Sequence, residues 1–122
     1  MAESSKKILI IEDEKPLARA LELKLVHEGF DVTNVGNGEI ALPLIEEKDF
    51  FLIVCDLVMP KVDGFQVLEF IKEKGIKTPV LILTNLGQAE DEKRVRALGA
   101  LDFFIKSNTP LSKIVEYIKT NI

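Results

Sequence analysis

The sequence has little cysteine, histidine, tyrosine or tryptophan: one Cys, one His, one Tyr and no Trp among 122 residues. The single cysteine, Cys55, cannot form an internal disulfide, and His27 has no second histidine or cysteine at zinc-site spacing. No apolar run approaches the roughly 18 residues that a membrane-spanning helix needs. The polar start of the chain also lacks the apolar segment of a signal peptide. We therefore expect a cytoplasmic protein that does not enter a membrane.

Positive charge is the minority charge, with 16 Lys and Arg against 20 Asp and Glu and a net charge of −4. A phosphate backbone would be repelled on average, so direct nucleic-acid binding is disfavoured. Hydrophobic residues make up 47% and charged residues 30%, the balance of an ordinary globular protein. The length predicts one domain over residues 1–122, with residues 1–5 as a flexible N-terminus.

Short β-branched runs alternate with segments of helical periodicity, which predicts an α/β fold. The predicted strands are residues 7–11, 31–35, 52–56, 80–84 and 103–106, and the predicted helices are 15–28, 39–48, 63–74, 89–98 and 110–121. Three of the strands are apolar without alternation, as expected for central parallel strands with helices on both faces. Pro43 conflicts with the second helix, which we expect to start late or to bend there.

Polar residues end four of the predicted strands. Glu12 and Asp13 follow the first strand, Asp56 closes the third, Thr84 the fourth and Lys106 the fifth. In a doubly wound parallel sheet, ligands bind outside the carboxyl ends of the strands. We therefore expect carboxylates, a hydroxyl and an ammonium group to form one site.

In this order along the chain, the residues resemble those of the receiver domains of two-component response regulators. The resemblance covers nearly the whole chain and rests on the Ile11-Glu12-Asp13 run, on the segment 56–64 (DLVMPKVDG), on Thr84 and on Lys106. It implies a flavodoxin-like five-stranded sheet of order 2-1-3-4-5. It also implies that Asp56 accepts a phosphoryl group from a sensor histidine kinase, a phosphotransfer protein or a small phosphodonor. Such a domain catalyses only its own phosphorylation and autodephosphorylation, so we do not expect an enzyme.

Clustered carboxylates repel one another unless a hard divalent cation lies among them, and Mg²⁺ is the natural occupant. We expect Asp13 and Asp56 to hold it, with Glu12 binding directly or through water. The resemblance adds the backbone carbonyl of Val58. Lys106 supplies a cation for the phosphoryl oxygens, and the hydroxyl of Thr84 can donate to the phosphoryl group.

The resemblance also implies a switch, in which Thr84 moves inward and an aromatic side chain three residues before the lysine, here Phe103, becomes buried. The face formed by the fourth helix, fifth strand and fifth helix would then bind a downstream protein or a fused output domain, or form a phosphorylation-dependent homodimer. On the first helix, helical geometry places Leu23 on the outer face beside Ala20. We expect these two residues to dock the phosphodonor near the rim of the site.

Several positions leave alternatives open. Taken alone, Glu12, Asp13 and Glu14 could simply favour the start of a helix. Ser107 stands where the family usually has proline, so we predict a trans bond before it, and Asn85 stands where the family usually has a small residue. With Pro43, these departures leave open a receiver-like interaction module that works without phosphorylation. Because no output domain follows Ile122, the chain is either a stand-alone regulator or part of a longer protein.

Overall fold

The computed structural model describes residues 6–122. The strands are β1 (Lys7–Ile11), β2 (Asp31–Val35), β3 (Leu52–Cys55), β4 (Val80–Thr84) and β5 (Asp102–Ile105). The helices are α1 (Lys15–His27), α2 (Gly38–Glu47), α3 (Gly64–Glu73), α4 (Ala89–Ala97) and α5 (Leu111–Asn121), and a 3₁₀ turn covers Lys106–Asn108. The prediction for residues 1–5 lies outside the described residues.

The strands form one parallel sheet in the order β2-β1-β3-β4-β5, which confirms the predicted flavodoxin-like arrangement. Alternate side chains of each central strand enter different apolar clusters. On β1, Leu9 and Ile11 pack with residues of α2, α3 and α4, whereas Ile8 and Ile10 pack with α1 and α5. Both faces of the sheet are therefore buried, which explains why the central strands show no polar alternation. None of the helices in the described part of the chain is long and apolar enough to cross a membrane.

The second helix departs from the prediction at its start. Instead of beginning late because of Pro43, α2 begins at Gly38, one residue before the predicted position, and continues past the proline to Glu47. The side chain of Asn37 accepts a hydrogen bond from the Ile40 N–H at 3.0 Å and caps the first turn. A proline at position 43 removes a donor only from the carbonyl of Glu39, an exposed residue that water can reach. The expectation of a late start is therefore wrong, and the alternative of a bend at Pro43 stays a prediction.

Two strand ends bring functional residues into turns rather than into the sheet. β3 ends at Cys55, so Asp56 is the first residue beyond it, and β5 ends at Ile105, so Lys106 opens the 3₁₀ turn. The loop after Asp56 is held close to α3, where a Cβ on Gly64 would overlap the Asp56 carbonyl oxygen. Glycine at position 64 thus lets the start of α3 approach the site.

Candidate functional site

Three carboxylates meet at the carboxyl edge of the sheet. Glu12 and Asp13 follow β1 and Asp56 follows β3, and each offers an oxygen within 4.8 Å of the other two. Backbone hydrogen bonds fix two of these positions, because the Glu12 N–H donates to Val35 and the Asp56 N–H donates to Ile11, both at 3.0 Å. Glu12 and Asp56 are each only 5% exposed, whereas Asp13 is exposed. The predicted convergence of these three acids is present.

Lys106 reaches this cluster from the other side of the sheet edge. Its Nζ lies 2.8 Å from Asp56 Oδ2 and 2.9 Å from Glu12 Oε1. A third carboxylate, that of Glu14, places Oε1 at 2.7 Å from the same Nζ. The Lys106 side chain is 8% exposed. The ammonium group is therefore almost enclosed by acids, which compensates part of the cost of burying them.

Burial and charge shift the pKa values of this cluster. Burial raises the pKa of Glu12 to about 7, although hydrogen bonds from Lys106 and from the Glu14 N–H act in the opposite direction. For Lys106, burial acts to lower the pKa, but hydrogen bonds to Asp56, Glu12 and Glu14 together raise it above its usual value. Lys106 is thus a permanent cation at neutral pH, and Glu12 can take up a proton there.

Thr84 and its neighbours form the opposite wall of the site. Thr84 is fully buried, and its Oγ1 accepts a hydrogen bond from the Leu86 N–H at 3.2 Å. The Oδ1 of Asn85 accepts a hydrogen bond from the Ser107 N–H at 3.1 Å. A proline at position 107 would lack that N–H, so the two departures from the family pattern are linked by one bond between neighbouring loops. The peptide bond before Ser107 is trans, as predicted.

A cleft of about 410 Å³ opens between these walls. It is lined by Asp13, Glu14, Asp56, Val58, Thr84, Asn85, Leu86 and Lys106. Five of the six predicted catalytic and metal-binding residues therefore line one cleft. The sixth, Glu12, contacts Lys106 in that lining. Sequence reasoning did not assign Glu14 to the site, although its position beside Glu12 and Asp13 was the available signal. The hydrogen bond between Asn85 and Ser107 was not predicted either, because it forms only when the two loops meet in the folded chain.

Of the predicted switch residues, Thr84 lines the cleft and Phe103 does not, and the predicted docking residues Ala20 and Leu23 also lie outside it. Phe103 is buried in the apolar cluster that contains Ile82, its partner in the neighbouring strand, and its change from exposed to buried stays a prediction. On α1, Leu23 is 54% exposed and Ala20 is half-buried. Leu23 lines a groove between α1 and α5 rather than the cleft at Asp56. Its outward orientation is as predicted, while docking there stays a prediction.

The donor set at the sheet edge fits a magnesium site. All three side chains offer carboxylate oxygens, the hard ligands that Mg²⁺ prefers, and they face one another at the distances given above. In addition, Val58 follows Asp56 closely, and its N–H donates to Asp56 Oδ1 at 3.3 Å. This bond orients the carboxylate that would be shared between a cation and Lys106.

The chain belongs to the response regulator receiver domain family, whose model matches residues 8–119. It is 36% identical over 118 residues to the regulatory protein VanRc of Enterococcus gallinarum, covering 97% of this chain and 50% of that protein. It is 35% identical over 100 residues to the cell cycle response regulator CtrA of Brucella ovis, covering 82% of this chain and 43% of the relative. The chain thus spans half or less of the length of these curated relatives.

Solved structures agree with this family. The receiver domain of the Francisella response regulator 1452 superposes with a TM-score of 0.88 at 29% identity, covering 94% of each chain. The Vibrio cholerae chemotaxis protein CheY4 also gives a TM-score of 0.88, covering 98% of this chain and 100% of that one. At 21% identity, the second likeness concerns the fold alone.

Proposed function

We propose that this chain is a phosphoacceptor domain of two-component signalling and that Asp56 is the residue phosphorylated. The observation that carries the proposal is the contact of 2.8 Å between Asp56 Oδ2 and Lys106 Nζ, beside the carboxylates of Glu12 and Asp13. A cation that contacts the acceptor oxygen can also contact the oxygens of a phosphoryl group on it. Because both residues line a cleft that a phosphodonor can enter, we interpret the pair as a phosphoryl-transfer site and not as a purely structural ion pair.

In the proposed step, a carboxylate oxygen of Asp56 attacks phosphorus and forms the new O–P bond of an aspartyl phosphate. The P–N bond of a donor phosphohistidine breaks, and its electron pair stays on the imidazole nitrogen, which can take a proton from water. With a small donor such as acetyl phosphate, the P–O bond breaks and acetate leaves with the electron pair. The chain catalyses only its own modification and the hydrolysis that reverses it, and is not an enzyme acting on a separate substrate.

Glu12, Asp13, Asp56 and the backbone carbonyl of Val58 would hold Mg²⁺. When bound, the ion supplies positive charge that offsets the negative charge of the phosphoryl oxygens. The residues of the chain provide the positioning. The Val58 N–H and Lys106 fix the two oxygens of Asp56. Lys106 would also contact the transferred group, and the hydroxyl of Thr84 would do so when the Thr84 side chain turns toward the cleft.

The signal would leave the site through Thr84. The Thr84 hydroxyl now accepts from the Leu86 N–H, so turning toward a phosphoryl group changes the loop that leads into α4. Phe103 lies on the strand next to Thr84, and its packing against β4 would change together with that loop. The surface of α4, β5 and α5 would then bind a downstream protein or a fused output domain, or pair with a second copy. As in other two-component systems, we place these events in the cytoplasm.

The donor would be a sensor histidine kinase or a phosphotransfer protein that docks on α1 through Ala20 and Leu23. Leu23 is exposed and carries an apolar side chain that a helical partner can cover. We expect Leu23→Glu to lower transfer from a protein donor while leaving labelling by acetyl phosphate unchanged. Equal transfer from the protein donor to both proteins would contradict this docking role.

The test of the acceptor is intact mass after incubation with Mg²⁺ and acetyl phosphate. We expect the protein to gain one phosphoryl group, and we expect the gain to be absent without Mg²⁺ and in Asp56→Asn. Asp49→Asn is the matched control, because it removes an exposed acid elsewhere in the fold. Lack of any gain in the unsubstituted protein would favour an interaction module that works without phosphorylation.

A further inference from the structure

The ammonium group of Lys106 has no donor left for a phosphoryl group. An ammonium carries three N–H donors, and its Nζ makes hydrogen bonds of 2.8 Å to Asp56, 3.0 Å to Glu12 and 2.7 Å to Glu14. While Asp56 is still a free carboxylate, a phosphoryl oxygen that binds Lys106 must therefore replace one of these three partners. Which carboxylate leaves depends on how firmly each is held by other groups.

Two of the three carboxylates are anchored a second time. Glu12 Oε2 also accepts from the Glu14 N–H at 2.9 Å, and Asp56 Oδ1 also accepts from the Val58 N–H at 3.3 Å. Both side chains are 5% exposed, so moving either away from Lys106 would leave a buried acid without its cation. Glu12 and Asp56 are therefore the firmly held partners.

Among residues 6–122, the carboxylate of the third partner, Glu14, is held by Lys106 alone. Its side chain is 56% exposed, and water can solvate its carboxylate as soon as it leaves the lysine. Glu14 occupies the N-cap position of α1, yet its side chain makes no capping hydrogen bond to that helix. The carboxylate is instead turned into the cleft, where it lines the same wall as Asp56 and Lys106.

We propose that the Glu14 carboxylate occupies the place of a phosphoryl oxygen on Lys106 and must leave before the phosphoryl group can bind there. This inference rests on the proposed function, because the incoming anion is the phosphoryl group destined for Asp56. Glu14 is then a positioning residue: it holds Lys106 over Asp56 while the acceptor is free, and it competes with the phosphodonor for that lysine.

Two substitutions can distinguish the effect of the Glu14–Lys106 contact from the effect of the negative charge of Glu14 alone. Glu14→Gln removes the negative charge from the cleft, whereas Glu14→Asp keeps the charge on a side chain one methylene shorter. If contact with Lys106 is what opposes the phosphoryl group, both variants relieve it. If only the field of the carboxylate matters, Glu14→Asp behaves like the unsubstituted protein.

The experiment measures the rate of phosphorylation against acetyl phosphate concentration in Mg²⁺, together with binding of the phosphoryl analogue beryllofluoride. We expect both Glu14 variants to bind beryllofluoride about two- to fivefold more tightly and to need less acetyl phosphate for half-maximal rate. The maximal rate should change less, because the competition is for the site and not for the chemical step. Glu47→Gln, which removes an exposed acid from the far end of α2, should change neither quantity.

The proposal is overturned if Glu14→Asp matches the unsubstituted protein while Glu14→Gln is faster, or if neither variant differs from it. Either result, with Asp56 still labelled in the unsubstituted protein, leaves the proposed function standing. If the unsubstituted protein takes up neither a phosphoryl group nor beryllofluoride, both proposals fail together.

Discussion

In the described part of the chain, Lys106 and Arg96 each lie between carboxylates, and their surroundings differ. Lys106 is 8% exposed and contacts Glu12 and Asp56, which are 5% exposed. Arg96 is 47% exposed and contacts Glu92 at 2.9 Å and Asp102 at 3.0 Å, which are 43% and 26% exposed. The distances are similar, so the contact lengths alone do not distinguish a functional cluster from a surface one.

Burial is what separates the two groups. Around Arg96, water screens the charges, and such pairs add little to folding. Around Lys106, the carboxylates have lost their water, and the charge of the lysine offsets only part of that desolvation cost. The cluster therefore lowers the stability of the fold relative to a well-packed apolar site. A buried charged cluster that lowers stability is typical of a functional site. Its place at the carboxyl edge of the sheet agrees with the proposed phosphoryl transfer.

The largest expected effect is that of Lys106→Met on stability. Removing the cation leaves two buried acids uncompensated, and we expect the free energy of unfolding at pH 7 without divalent cations to fall by about 2–4 kcal/mol. Urea unfolding measures it, and added Mg²⁺ should restore part of the loss. Unchanged stability without Mg²⁺ would show that the Lys106 cluster is as well solvated as the Arg96 cluster.

The next effect is a pH dependence from Glu12, whose pKa is raised from 4.5 to about 7. Between these values the folded state keeps a proton that the unfolded state has released, so stability falls as pH rises and levels off above about 7. Allowing for partial hydration, the contribution without Mg²⁺ is about 1–2 kcal/mol. Unfolding of the unsubstituted protein and of Glu12→Gln across this range measures it, and parallel curves would contradict the assignment.

A third effect concerns the rate at which water hydrolyses the aspartyl phosphate in the cleft. Val58 and Leu86 flank the cleft with apolar side chains, neither of which can orient an attacking water. We expect slow autodephosphorylation, and Val58→Asn should speed phosphate release about threefold to tenfold, or about 1 kcal/mol of barrier. Val58→Ala is the matched control, because it shortens the side chain without adding a polar group. Release that is faster in Val58→Ala, or unchanged in Val58→Asn, would count against this role of the apolar wall.

The smallest effect is expected at the exposed cluster. Arg96→Met should lower the free energy of unfolding by about 0.5 kcal/mol or less, and the difference should shrink further in high salt. The same urea experiment as for Lys106 measures it. A loss comparable to that of Lys106→Met would remove the contrast between the two clusters.

Much of the fold could be predicted from the sequence, because local pattern and global topology agree in it. The apolar runs of the central strands indicated burial on both faces, and the bounds of β1, β2 and β4 match the prediction. The late start predicted from Pro43 was wrong. The rule for proline in helix interiors does not consider whether the carbonyl that loses its donor can bond to water. The side chain of Asn37 caps the start of that helix and favours its beginning at Gly38.

Most residues of the site could be predicted from the sequence, but fewer of the contacts between them could. Glu12, Asp13, Asp56, Thr84 and Lys106 were expected at one edge because strand ends of a parallel sheet share that edge. The contact of Glu14 with Lys106 spans 92 residues of sequence, and the bond of Asn85 to Ser107 spans 22. Such contacts follow from side-chain orientation in the folded chain, which spacing along the sequence does not specify.

The most direct test of the central claim is to locate the phosphoryl group. After incubation with Mg²⁺ and acetyl phosphate, borohydride reduces an aspartyl phosphate to homoserine, which peptide mass spectrometry can assign to one position. We predict homoserine at position 56 alone, formed only when Mg²⁺ is present. Homoserine at Asp13 or at another aspartate, or none in a protein that is folded and saturated with the donor, would contradict the account.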